Sequence, residues 1–323
     1  CLRKPPSTER SESDRQSREH RQCCKYARRG LLRKAMKVLS PSPLADVTEL
    51  VVEEKLRSKY KSVEVPFLAD KSPVHASFDL LPPISPSVIH GVLKKMNPVA
   101  ASGLDRWNSA LLLAAWENSA EVGSAVASVL HILLARPDAF CRFCTTARGV
   151  ALSKKANDVR PIGIAGFFIK LLSAVCLKLD DPLTSLPTWQ LGLSKNGCFR
   201  VLRDVRAAHD KGLFVLTVDA ENAHNSISRQ ACWDALERRR FALPFARAFF
   251  RLAYAASTEV FYQRSGNDWL CVSSNVGVRQ GCPLSSFIYN LATADALEPA
   301  VSGLIEHDAF YAVHDDITVT SSS

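Results

Sequence analysis

The sequence predicts an α+β chain in which short strands, joined as hairpins, pack against apolar helices. Three observations carry this. Residues 111–134 and 167–179 are strongly apolar over helical lengths. Extended apolar segments come in pairs around polar turns, at 149–152 with 160–164, 260–263 with 270–273 and 309–314 with 317–320. The 323 residues are 47% hydrophobic and 23% charged, near the soluble globular average. That length suits one large domain or two ordinary ones. The composition excludes a mostly disordered, collagen-like or coiled-coil chain. The best candidate for a membrane span, Ile162 to Leu177, is too short and carries Lys170.

The elements follow in order. Residues 1–40 hold 12 Lys/Arg and 4 Asp/Glu, so nearly all of the formal net charge of +9 sits there. Such a segment suits a polyanion, and equally a solvated tail. A helix is expected from Gln22 to Leu39, ended by Ser40-Pro-Ser-Pro43. Residues 44–83 read as a linker with one helix around Val47 to Tyr60. A helix starts after Ser85, and Ser102-Gly-Leu-Asp105 is a turn. Residues 111–134 form a buried helix or helix pair, and Phe167 to Leu179 another helix. Asn196 opens a helix with Cys198, Val201, Leu202 and Val205 on one face. Arg200, Arg203 and Arg206 form a basic stripe on another.

Leu213 to Asp219 reads as a buried strand. A helix follows Ser228, Gly266-Asn267 turns a hairpin, and Gly281 with Pro283 opens a further helix. The ten cysteines are scattered, so a reducing compartment without a disulfide framework is expected. Cys141 and Cys144 form a single CxxC, a weak zinc signal.

Two features carry chemistry. Asp219 ends an apolar run, where a carboxylate needs a cation, hydrogen bonds or a turn to offset its desolvation. Asp315-Asp316 places two carboxylates side by side between β-like segments. If the strand ending at Asp219 lies beside that hairpin, three carboxylates converge, an arrangement that can hold two divalent cations for in-line phosphoryl transfer. From spacing alone a solvent-facing turn stays open beside this reading.

Longer stretches resemble a known pattern. Phe214-Val-Leu-Thr-Val-Asp-Ala-Glu-Asn-Ala-His-Asn-Ser-Ile-Ser228, Gly277-Val-Arg-Gln-Gly-Cys-Pro-Leu-Ser-Ser286 and His314-Asp-Asp-Ile-Thr318 resemble three reverse-transcriptase palm motifs, in their order. Leu152-Ser-Lys-Lys155 with Val159-Arg-Pro-Ile162 resembles the fingers motifs. Ser102-Gly-Leu-Asp105 resembles the segment before them, and Gln190-Leu-Gly-Leu193 the segment before the first palm motif. In style the motifs resemble a non-LTR retrotransposon reverse transcriptase, over residues 85–323.

The resemblance implies a right-hand polymerase with fingers and an antiparallel palm sheet packed on helices. It divides the chain into a basic extension and linker (1–83), a fingers-like region (84–180) and a palm (181–323), with the reverse transcriptase domain over about 130–323. It implies RNA-directed DNA polymerisation, with an RNA template, a DNA primer, dNTPs and two Mg²⁺ ions, or Mn²⁺ in their place. Asp219, Asp315 and Asp316 would be catalytic metal-binding carboxylates, with the Ala220 carbonyl as a further ligand. Lys155, Arg160, Ala220, His224, Gln280 and Gly281 would line the nucleotide site. Arg200, Arg203 and Arg206 are the candidate nucleic-acid contacts. Nuclear action is implied by the family, and no membrane.

The sequence departs from the pattern in places. His224 stands where the family has Phe or Tyr, and Val313-His314 precedes the paired aspartates where Tyr-x is common. The chain begins at Cys1 and stops seven residues after Asp316, so a fragment or partly decayed copy is expected, with the thumb absent and extension by this stretch poor. The rivals are a non-catalytic nucleic-acid-binding remnant, another polymerase-related enzyme such as an intron maturase or a cellular reverse transcriptase, and an unrelated two-metal phosphotransferase, which the fingers-like and Gln280 motifs disfavour. The insertion target, template preference and oligomeric state are not legible.

Overall fold

The computed structural model describes residues 20–24, 43–60, 81–98, 100–154, 158–304 and 308–322. Of the expected helix at Gln22 to Leu39, only its start is among them: residues 20–24 are helical, and 25–42 lie outside.

Helix α1 (Leu50–Lys59) is followed by α2 (Pro86–Lys95), α3 (Ser109–Asn118), α4 (Ala120–Ala135) and α5 (Pro137–Cys144). Local chemistry sets several starts. The Ser85 hydroxyl accepts from the Ser87 N–H, and the Asn108 side chain accepts from the Leu111 N–H. The apolar stretch from 111 to 134 is a pair, α3 and α4, broken at Ser119.

Strands β1 (Ala147–Lys154) and β2 (Asp158–Ala165) form an antiparallel hairpin. Helix α6 (Phe167–Leu179) follows, its first N–H bonded at 2.5 Å by the carboxylate of Asp105. The segment Ser102-Gly-Leu-Asp105 therefore caps a helix more than sixty residues away, where an acidic group also suits the helix dipole. Strands β4 (Thr258–Gln263) and β5 (Trp269–Ser274) form the hairpin expected around Gly266. β4 joins β1 in parallel, giving a four-stranded sheet ordered β2-β1-β4-β5.

Residues 43–60, which include the helix expected around Val47 to Tyr60, cover this sheet. Leu44 bridges to Leu152, and Val52, Leu56 and Tyr60 pack with Ala151, Val159, Val260, Tyr262 and Val272. The Tyr60 and Tyr262 hydroxyls meet at 2.9 Å in the interior.

The second sheet is antiparallel throughout and ordered β3-β7-β6, from β3 (Phe214–Asp219), β6 (Ala309–Val313) and β7 (Asp316–Ser321). Helix α7 (Gly197–Asp210) packs against β3 and β6. Helices α8 (Ala223–Ser226), α9 (Arg229–Arg238), α10 (Pro244–Tyr254) and α11 (Pro283–Ser302) join α6 in the main core, around Leu172, Leu236, Phe249, Phe250, Phe287 and Leu291. The α9 start is capped by Ser228, and Pro283 occupies the first turn of α11.

Two burial expectations are corrected. β3 is not a buried strand: Phe214, Leu216 and Val218 are 69, 61 and 46% exposed, because the described residues leave the face they share uncovered. On α7, Cys198 and Leu202 are exposed, so the apolar face read from periodicity is covered only in part. Of the CxxC pair, Cys144 is buried, and the Cys141 side chain lies outside what is described. Among the described residues no helix is long and apolar enough to cross a membrane.

Candidate active site

The site is built by the β3–β7 ladder. Asp219, the last residue of β3, pairs directly with Asp316, the first residue of β7. Paired residues of an antiparallel ladder project to the same face, so these two carboxylates are neighbours. Val313 pairs with Asp316 across the β6–β7 hairpin, which leaves His314-Asp315 as a two-residue turn. His314 adopts φ 59°, a left-handed conformation uncommon outside glycine. Burial pushes the Asp316 carboxyl above its usual range, and the charges of Asp315 and Asp219 push it further, with His314 opposing.

Asp219 and Asp315 line one cavity of about 330 Å³. Its other walls include Ala220, Arg160 and Gln280, together with Lys59, Lys154, Asp158 and Glu221. Acidic and basic groups thus share one cavity, with Asp158 of β2 between Lys59 of α1 and Lys154 of β1. Carboxylate oxygens are the donors that divalent cations such as Mg²⁺ take, and the mutual repulsion at Asp316 is what a bound cation would relieve. Among the described residues no three His, Cys, Asp or Glu side chains already stand at closed metal-ligand geometry.

The other sequence candidates fall as follows. Lys155 lies outside the described residues. Arg160 is exposed on β2 and faces the cavity. Gly281 closes the turn beside Gln280 with φ 100°, which favours glycine. His224, on α8, is half-buried and stacks on Tyr289, with centroids 4.6 Å apart at 12°. Its ring lies 6.4 Å from that of His314. Burial pushes both imidazoles below their usual range, against the pull of Asp315. Arg200, Arg203 and Arg206 are exposed on α7, away from the cavity lining, and Arg203 is paired with Asp204 at 2.7 Å.

Buried groups hold the turns that carry these side chains. Gln190, fully inside, accepts through Oε1 from the N–H of Gly192 at 2.9 Å and of His314 at 3.4 Å. Leu191 donates to the Ala312 carbonyl, and Ala312 donates back to that of Trp189. The segment Gln190-Leu-Gly-Leu193 therefore props the hairpin that ends in Asp315. Behind Gln280, the backbone N–H of Arg279 donates to the Tyr254 hydroxyl at 3.0 Å, and its guanidinium donates to the carbonyls of Cys144 and Ala253. Arg229 is buried and donates to the carbonyls of Gly277, Tyr254, Ala256 and Ser274. Both guanidinium groups also lie over the Tyr254 ring.

Sequence reasoning missed Lys59, Lys154, Glu221 and Asn222 in the cavity wall. Glu221 and Asn222 lie inside the first palm motif, and Lys154 inside the fingers motif, so proximity to those motifs was an available signal. Lys59 had none, since it lies far upstream, in a helix expected within a linker.

The reverse transcriptase (RNA-dependent DNA polymerase) family matches residues 152–323. The chain belongs to that family. No curated protein matches it. Among solved structures it is similar to apo telomerase from Candida tropicalis truncated from its C-terminal domain, at 12% identity and TM-score 0.40 over 56% of this chain and 44% of that one. It is also similar to the apo telomerase from the same organism, at 10% identity and TM-score 0.38 over 56% and 39%. A third is telomerase from Candida albicans in complex with a TWJ fragment of telomeric RNA, at 13% identity and TM-score 0.34 over 56% and 38%. The chain thus spans less than half the length of each of these structures.

Proposed function

We propose that this chain is the fingers and palm of an RNA-directed DNA polymerase of non-LTR retrotransposon type, which adds deoxynucleotides to a primer 3′-hydroxyl on an RNA template. One relationship carries the reading. Asp219 and Asp315, nearly a hundred residues apart in sequence, line the same cavity as Arg160 and Gln280, with Asp316 across the ladder from Asp219.

In this reading Asp219, Asp315, Asp316 and the Ala220 carbonyl hold two Mg²⁺ ions, with Mn²⁺ as a substitute. When bound, the metal supplies positive charge that acidifies the primer hydroxyl and offsets the pyrophosphate that leaves. Arg160 and Lys155 grip the incoming triphosphate, for which an Arg fork is well shaped. Gln280 and Gly281 bound the nucleotide on the template side. His224 lies under the sugar, and its stack on Tyr289 fixes the ring plane there. Burial lowers the proton affinity of its imidazole, with the charge of Asp315 opposing. Arg200, Arg203 and Arg206 offer a basic stripe to the nucleic-acid backbone, and nuclear action follows from the retrotransposon assignment.

The test is RNA-templated primer extension in Mg²⁺ and in Mn²⁺, comparing the parent with Asp219→Ala and Asp315→Ala. Extension that both substitutions abolish supports the reading. The substitutions Val313 and His314 at the hairpin favour a second reading, a nucleic-acid-binding remnant. Salt-sensitive RNA binding with no extension in either metal would select it.

A further inference from the structure

Helix α1 lies wholly outside residues 152–323, yet its last residue reaches the active-site cavity. Lys59 Nζ stands 3.3 Å from Asp158 Oδ1 and 3.8 Å from Glu221 Oε1. Its side chain is only 18% exposed and lines the same cavity as Arg160 and Asp219. The position is locked from the palm side. The Asn222 side-chain amide donates to the Lys59 carbonyl at 2.8 Å, and Asn222 in turn accepts from the Asn225 amide at 2.8 Å. The loop that follows Asp219 is thereby tied to the end of α1.

The cation is held by one carboxylate that has other partners. Asp158 is shared between Lys59 and Lys154, the latter at 4.0 Å, and its Oδ1 also accepts from the Val159 N–H. Glu221 is almost fully exposed, where an ion pair is worth little. A polyphosphate offers a lysine several anionic oxygens and more charge than one shared carboxylate. We propose that Lys59 is a triphosphate-binding residue of this site, contributed by the segment upstream of the family domain, and that Asp158 is its internal counter-ion, displaced when a triphosphate binds. The inference rests on the polymerase reading for the identity of the nucleotide, but not for the binding of polyphosphate.

The experiment is titration calorimetry of the full chain with inorganic triphosphate and with a dNTP plus Mg²⁺, alongside primer extension and thermal melting. Lys59→Ala is expected to weaken triphosphate binding about tenfold, the scale of one lost charge-assisted hydrogen bond. In primer extension it should raise the dNTP KM with little change in kcat, and Lys59→Arg should restore most of the loss. Asp158→Asn should tighten triphosphate binding several-fold, because a competing anion is removed. A purely structural Lys59 would lower the melting temperature and leave the affinity of the folded chain unchanged, and that result overturns the proposal. So does an Asp158→Asn variant that binds no more tightly than the parent. If the parent extends no primer while its triphosphate binding depends on Lys59, this site stands without the polymerase reading. If the parent extends normally and Lys59→Ala matches it in KM, this inference alone fails.

Discussion

Gly192 lies so close to His314 that a Cβ built on it would stand 2.7 Å from the imidazole Nδ1 and 2.8 Å from the backbone nitrogen. The same Cβ would also meet the Asn290 side-chain nitrogen at 2.8 Å, and Asn290 Oδ1 lies 3.1 Å from His314 Nδ1. The requirement for glycine is thus one of space, imposed by the turn that carries Asp315. Gly192→Ala is expected to displace the β6–β7 turn and lower kcat for extension by an order of magnitude or more, as misplacing a catalytic group by about 1 Å does. Steady-state primer extension, with circular dichroism to show retained secondary structure, checks this.

The paired carboxylates give a second expectation. Asp219→Asn keeps the shape of the side chain and removes one negative charge. It should reduce extension about 10³-fold or more, the scale of losing a charge-stabilising catalytic group. Because Asp219, Asp315 and Asp316 repel one another, it should also hold or slightly raise the melting temperature without divalent ions. A variant that melts clearly lower than its parent in EDTA would contradict the repulsion argument.

A third concerns the basic stripe on α7. Arg203 is already paired with Asp204, whereas Arg200 and Arg206 are exposed. Replacing Arg200 and Arg206 together by Ala should lower RNA affinity similarly across template sequences. The slope of log K against log salt should become shallower by roughly 1.5 to 2, the amount expected for two phosphate contacts. An unchanged slope in a filter-binding series means that the stripe does not touch nucleic acid.

Stability should depend on pH through Asp180. Its carboxylate accepts from the N–H groups of Phe245 and Ala246 and so caps α10, yet burial pushes it up to about 7 despite those bonds. A folded-state value above the unfolded one means that the native protein binds the extra proton. The contribution is full below about pH 4 and is lost as pH rises toward 7, at no more than about 1.4 kcal/mol per pH unit. Asp180→Asn should flatten that part of the melting-temperature profile. A variant whose profile parallels the parent's from pH 4 to 7 would place the titration elsewhere.

The parts of this fold that were legible are those with local causes. Ser85 and Ser228 announce helix starts because their hydroxyls accept from N–H groups two or three residues on. Gly266 and the Asp315-Asp316 hairpin are visible because turn residues interrupt alternating segments. The order of the palm motifs pointed to Asp219 and Asp315, which do share a cavity. What was not legible depends on distant partners. The parallel pairing of β1 with β4 joins segments more than a hundred residues apart and leaves no periodic trace in either. The run Leu213 to Asp219 looks buried because its residues are apolar, but apolarity does not reveal whether other elements will cover a strand's faces. Lys59 was invisible for the same reason, since only the tertiary fold brings α1 to the loop after Asp219.

The shared family region opens at residue 152, in the middle of β1, and this has a practical side. A recombinant piece trimmed to that boundary would lose Ala147, Arg148 and Gly149, the residues that zip β4 into its sheet, and with them the lid that α1 places over Tyr262. The bared rim of β4 would then invite other copies to stack on it, and the piece should clump rather than stay dispersed. Expression that starts upstream of Pro43 keeps the missing seam.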